Sequence, residues 1–255
     1  MKIDGAIACV SGGGSGLGAA TVCYLSDLGA KVGILDYNIE RASTVAHDVG
    51  GFAVQADVGD AQAVAAAITT MTAHFGIAPR IVVNCAGVAD AARIVGRGGK
   101  TSVATFEKVI RVNLIGSYNV MTFGAQAMMN LDPLNDNERG VIINTSSAAY
   151  EDGQLGQAAY AASKGGIAAM SLPAAREFAQ SGIRVMAIAP GLFMTPMMEG
   201  LPAEVTDQIT ANIPFPARLG QSSEFARLVG DIVENPYLNG TVIRLDGAVR
   251  LPPRL

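Results

Sequence analysis

The 255-residue sequence predicts an α/β fold: a single domain built on a doubly wound, seven-stranded parallel β-sheet with helices on both faces. The first observation is an end-to-end alternation of short apolar runs with longer stretches of helical periodicity, which is typical of parallel strands joined by crossover helices. The second is that several runs are apolar on consecutive residues, as expected for strands covered on both faces. The third is that no linker, repeat or charge block divides residues 1–255.

Seven apolar runs are predicted to be the strands. In chain order they are 6–10, 32–35, 52–55, 81–84, 141–145, 185–189 and 241–245. The predicted helices are 17–28, 38–48, 60–74, 103–130, 157–180, 196–211 and 222–234. Longer excursions interrupt this alternation at 90–105, 131–139 and 193–219, and such excursions form pocket walls when they lie at the carboxyl ends of the strands. The last is rich in proline and methionine, so we interpret 193–219 as a mobile lid over an apolar substrate.

Composition excludes several classes of function. Eighteen lysines and arginines against 22 aspartates and glutamates give a net charge of −4, so no dominant nucleic-acid or anionic-membrane surface is expected. Three dispersed cysteines and two histidines offer neither a disulfide framework nor a metal site. No targeting segment precedes the first predicted strand, so a cytoplasmic location is expected.

One stretch, residues 112–131, carries no charge over a length that can span a bilayer. Six of its residues are polar: Asn113, Ser117, Asn119, Thr122, Gln126 and Asn130. Their side chains would be costly among lipid tails. We therefore predict a helix buried in protein, with no membrane span.

A glycine-rich loop, SGGGSGLG at 11–18, directly follows the first predicted strand. Its glycines permit a tight turn and let backbone N–H groups approach a pyrophosphate at the positive end of the next helix. The second strand ends at Asp36, whose carboxylate can bind adenosine ribose hydroxyls and repels a 2′-phosphate. Because no arginine or lysine occurs at 11–18 or 37–39, the pattern predicts a Rossmann-type site for NAD(H) rather than NADP(H). A solvated aspartate at a strand end is the alternative.

Two more strand ends lie on the same predicted edge. Asp57 and Val58 follow the third strand, and Asn-Cys-Ala-Gly at 84–87 ends the fourth. The Asp57 carboxylate can meet an adenine amino group, and the small residues at 85–87 let the backbone pass close to a cofactor.

Tyr160 and Lys164 are four residues apart in a predicted helix and therefore share one face. A phenol with a pKa of about 10 is a poor base near neutral pH, but a neighbouring ammonium favours its ionised form. Ser147 ends the fifth strand, where its hydroxyl can hold a substrate oxygen. Asn113 falls in the uncharged predicted helix, where a buried side-chain amide needs hydrogen-bond partners. Each has an ordinary structural explanation alone, and their joint occurrence with the glycine loop indicates catalysis.

The chain resembles the short-chain dehydrogenase/reductases over almost its full length. SGGGSGLG, NCAG, Asn113, Ser147, Tyr160-x-x-x-Lys164 and Pro190-Gly191 stand in that family's order and spacing. The resemblance implies a catalytic tetrad in which Tyr160 is the acid/base and Lys164 lowers its pKa and holds ribose. Ser147 would orient the carbonyl, and Asn113 would hold a water of the proton relay. The implied reaction is hydride transfer between nicotinamide C4 and a secondary alcohol carbon.

Within that family, residues 140–170, 183–196 and 235–250 are most similar to the 3-hydroxyacyl-CoA dehydrogenases. This likeness implies NAD as cofactor, an acyl-CoA alcohol or ketone as substrate, and a substrate pocket that Gln154 and Gln157 line beside Ser147 and Tyr160. The residues implied to contact NAD are Gly12, Ser15, Gly16, Leu17, Gly18, Asp36, Asp57, Val58, Asn84, Cys85, Ala86, Gly87, Tyr160, Lys164, Pro190, Gly191, Phe193 and Thr195. Departures from the pattern occur at Ser11, Gly14 and Met194.

Arg93, Arg97 and Lys100 place three positive charges in the 90–105 excursion. We interpret them as ligands of coenzyme A phosphates, with a solvated loop as the alternative. Two other functions stay open: a dehydrogenase of steroids or other secondary alcohols, and a catalytically silent dinucleotide-binding scaffold. Because helices 103–130 and 157–180 carry few charges, they are expected to pair between subunits of a homotetramer, with a closed monomer as the alternative.

Overall fold

The computed structural model describes residues 1–194 and 210–253. Within them, the strands are β1 Ile7–Ser11, β2 Lys31–Asp36, β3 Phe52–Gln55, β4 Ile81–Asn84, β5 Gly140–Thr145, β6 Ile183–Pro190 and β7 Val242–Leu245. They form one sheet in the order β3-β2-β1-β4-β5-β6-β7, and every neighbouring pair is parallel. The strand order reverses between β1 and β4, which leaves a crevice at the carboxyl ends of these two strands.

The helices of the described residues connect these strands. They are α1 Gly16–Asp27, α2 Ile39–Val49, α3 Ala61–Phe75, α4 Val103–Val109, α5 Gly116–Met128, α6 Ala158–Phe178 and α7 Ser222–Glu234. Side-chain caps define two of the starts. Asn38 Oδ1 accepts from the N–H of Arg41 before α2, and Asp60 Oδ1 accepts from the N–H of Gln62 before α3.

The sheet is covered on both faces, as the consecutive apolar residues predicted. Ala8 and Val10 of β1 belong to a core shared with α1, α2 and α7. Cys9, between them, belongs to a second core shared with α3, α5 and α6. Because successive side chains of a strand point to opposite faces, both faces need apolar residues. The predicted doubly wound α/β sheet is confirmed.

The helix predicted at 103–130 is present as an uninterrupted helical stretch from Val103 to Met128, but it is not α-helical throughout. A π-helical turn, Ile110–Ile115, separates α4 from α5, and the Gly116 N–H donates to the carbonyl of Arg111, five residues earlier. Propensity and periodicity give no sign of this turn, which contains Asn113, a residue whose side-chain partners lie far away along the chain. Val120 and Met128, from the uncharged 112–131 stretch, are buried in the core against the sheet.

No helix in the described ranges is long and apolar enough to cross a membrane. Of the three excursions, 90–105 includes an antiparallel bridge between Val95 and Thr101. The excursion at 131–139 is held by two arginines, because Arg80 donates to the carbonyls of Asp132 and Arg139, and Arg139 donates to that of Leu131. Most of the predicted 196–211 helix and of the 193–219 lid lies outside the described residues.

Candidate active site

The glycine loop between β1 and α1 brings backbone very close to backbone. Gly12 has φ +69°, and a Cβ there would lie 2.6 Å from the amide nitrogen of Ala86. A Cβ on Gly18 would overlap the carbonyl oxygen of Gly12. Only glycine fits both places. Gly12 therefore abuts the residues that follow β4, and the start of α1 at Gly16 has no side-chain cap, which leaves its N–H groups available to an anion.

A cavity of about 800 Å³ opens at this crevice. The predicted cofactor residues that line it are Gly12, Ser15, Gly16, Leu17, Gly18, Asp36, Asp57, Val58, Cys85, Ala86 and Gly87. Its volume lies in the range of cofactor sites, and the glycine cradle at one wall leaves room that a Cβ would fill. The residues present therefore fit an extended anionic ligand such as a dinucleotide.

Two carboxylates line this cavity, and both are held by backbone N–H groups. Asp36 Oδ2 accepts from Gly14 at 2.9 Å, and its Oδ1 accepts from Asn38 at 2.9 Å. Asp57 Oδ1 accepts from Gly59 at 2.8 Å, and its Oδ2 pairs with Arg111 at 2.6 Å. Asp36 therefore faces the cavity without a cationic side-chain partner among the described residues, whereas the charge of Asp57 is already balanced.

Sequence reasoning missed several lining residues. They are Leu35, Tyr37, Arg41, Ala56, Val88, Lys108, Arg111 and Val112. Three of these are cations. Lys108 pairs with Asp90 at 2.6 Å, and this ion pair holds the 90–105 excursion to α4 beside the cavity. The helical spacing of Lys108 and Arg111 was the available signal, because residues three apart lie on one helix face.

Asn113 lies fully buried inside the π-helical turn. Its Oδ1 accepts from the N–H of Val88 at 2.8 Å, and its Nδ2 donates to the carbonyl of Val88 at 2.9 Å and to Ser163 Oγ at 3.0 Å. The amide thus joins the β4 loop to α6. Single π-helical turns are frequent at functional sites, and this one places the Asn113 amide within hydrogen-bond distance of both the β4 loop and α6.

Lys164 lies on α6, and the residue as a whole is 5 % exposed. Its Nζ donates to the carbonyl of Thr145 at 2.7 Å, and a Cβ on Gly87 would lie 3.7 Å from it. Burial lowers the pKa of Lys164 from 10.5 to about 8. Because Gly87 lines the large cavity, Lys164 and Asn113 stand at one end of that cavity.

Tyr160 and Ser147 complete the predicted tetrad. The Lys164 Nζ lies 5.7 Å from the centroid of the Tyr160 ring, as the four-residue spacing predicted. Burial raises the pKa of Tyr160, and its hydrogen bond with Ser147 opposes that effect. The sequence predicted a lowered pKa for Tyr160, whereas in the protein without a cofactor this pKa is raised. Ser147 Oγ also accepts from the N–H of Ala149 at 3.2 Å, which orients the hydroxyl.

A family model described as short chain dehydrogenase matches residues 6–206 of this chain. That stretch includes the glycine loop and all four residues of the predicted tetrad. The chain belongs to the short-chain dehydrogenase family. It is therefore an oxidoreductase, and a nicotinamide dinucleotide is the cofactor that this family uses.

Relatives of this short-chain dehydrogenase are similar over nearly the whole chain. The 3-hydroxyacyl-CoA dehydrogenase type-2 of Rattus norvegicus is 46 % identical over 99 % of this chain and 98 % of its own length. The ipsdienol dehydrogenase of Ips pini is 34 % identical over 98 % of this chain and 99 % of its own length. The crystal structure of a 3-hydroxyacyl-CoA dehydrogenase type-2 from Mycobacterium avium superposes with a TM-score of 0.91 at 40 % identity, covering 98 % of this chain and 97 % of that one. The resemblance to this branch of the short-chain dehydrogenases is confirmed.

Some predicted cofactor residues of this short-chain dehydrogenase lie outside the lining of the large cavity. Asn84 is buried, and its amide bridges Ser11, Asn144 and the carbonyl of Ser117, so it braces β1, β4 and β5. Pro190 ends β6, and the N–H of Gly191 donates to Leu245. Phe193 packs in the core and lines a separate cavity of about 110 Å³. Thr195 lies outside the described residues.

Of the four predicted substrate residues, Gln154 and Gln157 line a separate groove of about 400 Å³, whereas Ser147 and Tyr160 do not line it. Gln154 and Gln157 share it with Arg93, and the N–H of Gln154 donates to Gln157 Oε1 at 3.0 Å. Arg97 and Lys100 do not line it. They sit at the exposed end of the 90–105 excursion, where the Gly96 N–H donates to the Lys100 carbonyl.

Proposed function

We propose that this short-chain dehydrogenase transfers a hydride between NAD(H) and C3 of a 3-hydroxyacyl-CoA or 3-ketoacyl-CoA. The observation that carries the proposal is the meeting of two features at Gly87: a cavity with the size and glycine cradle of a dinucleotide site, and the side chains of Asn113 and Lys164. When bound, nicotinamide supplies or accepts the hydride. The relatives named for 3-hydroxyacyl-CoA dehydrogenase activity support the substrate class.

In this proposal Tyr160 moves the proton at its phenol oxygen, and Ser147 donates a hydrogen bond that keeps the substrate oxygen beside it. Lys164 stabilises the phenolate through its charge, which must outweigh the effect of burial on the pKa of Tyr160. Asn113 holds the β4 loop and α6 together, so that Gly87 and Lys164 keep their separation. Its place in the family's proton relay is part of the proposal.

NAD(H) is the proposed cofactor form because Asp36 faces the adenosine end of the cavity without a cationic side-chain partner among the described residues. A carboxylate there binds ribose hydroxyls and repels a 2′-phosphate. Arg41 lines the same end and is the residue that would favour NADP(H). The remaining cofactor contacts predicted from the family, including Pro190, Gly191, Phe193 and Thr195, belong to this proposal.

Of the three cations Arg93, Arg97 and Lys100, we propose that Arg93 binds the coenzyme A phosphates. It lines the groove beside Gln154 and Gln157, whereas Arg97 and Lys100 extend into solvent. The expected result is that Arg93→Gln raises KM for acetoacetyl-CoA and leaves KM for free acetoacetate unchanged. An equal rise in KM for both substrates would contradict the binding of coenzyme A phosphates by Arg93.

An NADH oxidation assay tests the whole proposal. Acetoacetyl-CoA is compared with free acetoacetate and a steroid ketone, and we expect the highest kcat/KM for acetoacetyl-CoA. If it has no advantage, the coenzyme A specificity is wrong. A preference for another secondary alcohol or ketone would then favour the alternative that the similarity to ipsdienol dehydrogenase supports.

Tyr160→Phe separates an enzyme from a catalytically silent dinucleotide-binding protein. Loss of a positioned acid/base typically costs about 100-fold or more in kcat, so we expect such a loss with little change in NADH affinity. A protein that binds NADH but reduces no ketone, with or without the substitution, would be the silent scaffold.

We also propose a homotetramer and a cytoplasmic location. Phe106, Ile115 and Tyr118 are large apolar residues exposed along α4, the π-helical turn and α5, and such a patch favours burial against a second copy. Sedimentation velocity should give four times the 26.2 kDa chain mass, and a monomer would contradict the assembly.

A further inference from the structure

The segment that carries Gln154 and Gln157 is held from outside the site by carboxy-terminal residues. Gln154 Nε2 donates to the carbonyl of Pro252 at 2.9 Å. The next residue, Leu155, donates its N–H to the carbonyl of Pro253 at 3.1 Å. Residues 246–253, here called the carboxy-terminal segment, therefore form the outer support of this groove wall.

Arg244, on β7, joins the two sides of this support. Its Nη1 lies 2.5 Å from Glu151 and its Nη2 lies 2.6 Å from Asp152, both just before Gln154. Its Nε lies 2.7 Å from Asp246, and its Nη2 also donates to the carbonyl of Val249 at 3.1 Å. Every nitrogen of the guanidinium is therefore engaged, with Glu151 and Asp152 on one side and the carboxy-terminal segment on the other.

The geometry of this cluster suits an arginine, because each guanidinium nitrogen meets a different carboxylate. The Arg244 side chain is 15 % exposed, and the Asp246 side chain is 7 % exposed. Three carboxylates this close repel one another unless a planar, multidentate cation lies between them. Arg250 also approaches Asp246, at 3.3 Å, but it is exposed, and among the described residues it bonds to Asp246 and the Val249 carbonyl and not to Glu151 or Asp152.

The clamped residues connect directly to the catalytic serine. Glu151 and Asp152 follow the 3₁₀ turn Ala148–Tyr150, which Ser147 caps. The N–H of Asp152 donates to the carbonyl of Ala148 at 3.0 Å, so the turn and the clamped pair form one unit. Two residues later, Gln154 enters the substrate groove.

We propose that Arg244 is a positioning residue for substrate selectivity: by holding residues 151–152 against the carboxy-terminal segment, it fixes Gln154 and Gln157 in the groove that receives the part of the substrate beyond the reacting carbonyl. This inference rests on the proposed function. A preorganised wall lowers the ordering cost of binding a long substrate and matters little for a small one that reaches only Ser147 and Tyr160.

The test measures the kcat/KM ratio of acetoacetyl-CoA to free acetoacetate in Arg244→Gln, with Arg250→Gln as the matched control. Misplaced binding groups can cost up to about 100-fold, and we expect Arg244→Gln to lower this ratio about 10-fold, mainly through KM for acetoacetyl-CoA. NADH affinity should not change, and hydrogen exchange at the Leu155 amide should accelerate. Arg250→Gln should resemble the unaltered protein in every measurement.

Asp152→Asn is the second variant, since it removes one charge of the clamp with almost no change of shape and serves if Arg244→Gln does not fold. An unaltered ratio in these variants overturns the role of Arg244, provided that the unaltered protein prefers acetoacetyl-CoA. If the unaltered protein shows no such preference, the proposed function fails and this inference fails with it.

Discussion

Replacing Lys164 with methionine tests the electrostatics of the site through stability rather than turnover. The ammonium is buried, with one hydrogen bond, at 2.7 Å, to the carbonyl of Thr145. Burial lowers the pKa of Lys164 from 10.5 to about 8. One pKa unit corresponds to 1.36 kcal/mol, so keeping this group charged in the folded protein costs about 3 kcal/mol of stability.

The sign of the pH dependence follows from the protons bound. Between pH 8 and 10.5 the unfolded chain keeps its proton on Lys164 while the folded protein releases it. The free energy of unfolding therefore gains up to about 3 kcal/mol from this group as the pH rises through that window, and none of this gain occurs in Lys164→Met. Against this, the variant loses a hydrogen bond with a net value of about 1 kcal/mol at every pH.

The assay is urea unfolding of the cofactor-free protein and of Lys164→Met at pH 7 and pH 10.5. We expect the difference in free energy of unfolding between the two proteins to change by about 3 kcal/mol between these pH values, with the variant relatively more stable at pH 7. Lys31→Met, at the exposed start of β2, controls for the loss of one positive charge. A difference that is equal at both pH values refutes the reasoning.

Three further substitutions probe the fold and the cofactor site. Gly18→Ala places a methyl against the Gly12 carbonyl, and overpacking of this kind costs about 1–3 kcal/mol, so a lower Tm and loss of NADH binding are expected; unchanged NADH binding would contradict the cradle. Asn113→Leu leaves the backbone groups of Val88 without partners, which should cost about 3 kcal/mol in urea unfolding, and a loss below about 1 kcal/mol would deny the amide its bridging role. Asp36→Ala removes the carboxylate from the adenosine end of the cavity, so the ratio of kcat/KM with NADPH to kcat/KM with NADH should rise about 10-fold or more. An unchanged ratio would mean that residues other than Asp36 determine the preference for NADH.

Much of the sheet and of the glycine cradle was predictable because their causes are local. A strand covered on both faces must be apolar on consecutive residues, and the Gly12–Gly18 loop must accommodate a close approach of two backbones. The order of strands and helices followed from that pattern. The four-residue spacing of Tyr160 and Lys164 likewise fixed their shared helix face.

What the sequence did not reveal depends on partners that are far apart along the chain. The π-helical turn within the 103–130 helix contains Asn113, which bonds to Val88 and Ser163. The side-chain amide of Asn84, a predicted cofactor contact, bonds across the sheet to Asn144, and the sequence did not indicate that partner. The acid cluster around Arg244 joins residues more than ninety positions apart. No local pattern signals such pairs.

The π-helical turn Ile110–Ile115 also sets the rotational phase of everything that follows it. An α-helix advances about 100° per residue, so one additional residue in a turn rotates the downstream helix by that angle relative to the upstream one. α4 and α5 are continuous, but the apolar positions of α5 are offset by that angle from the sequence phase of α4, and Val120 and Met121 of α5 lie in the core against the sheet. Deleting one residue from the turn would regularise the hydrogen bonding while swinging the apolar side of α5 toward water, so the irregular geometry is what keeps the two halves in register.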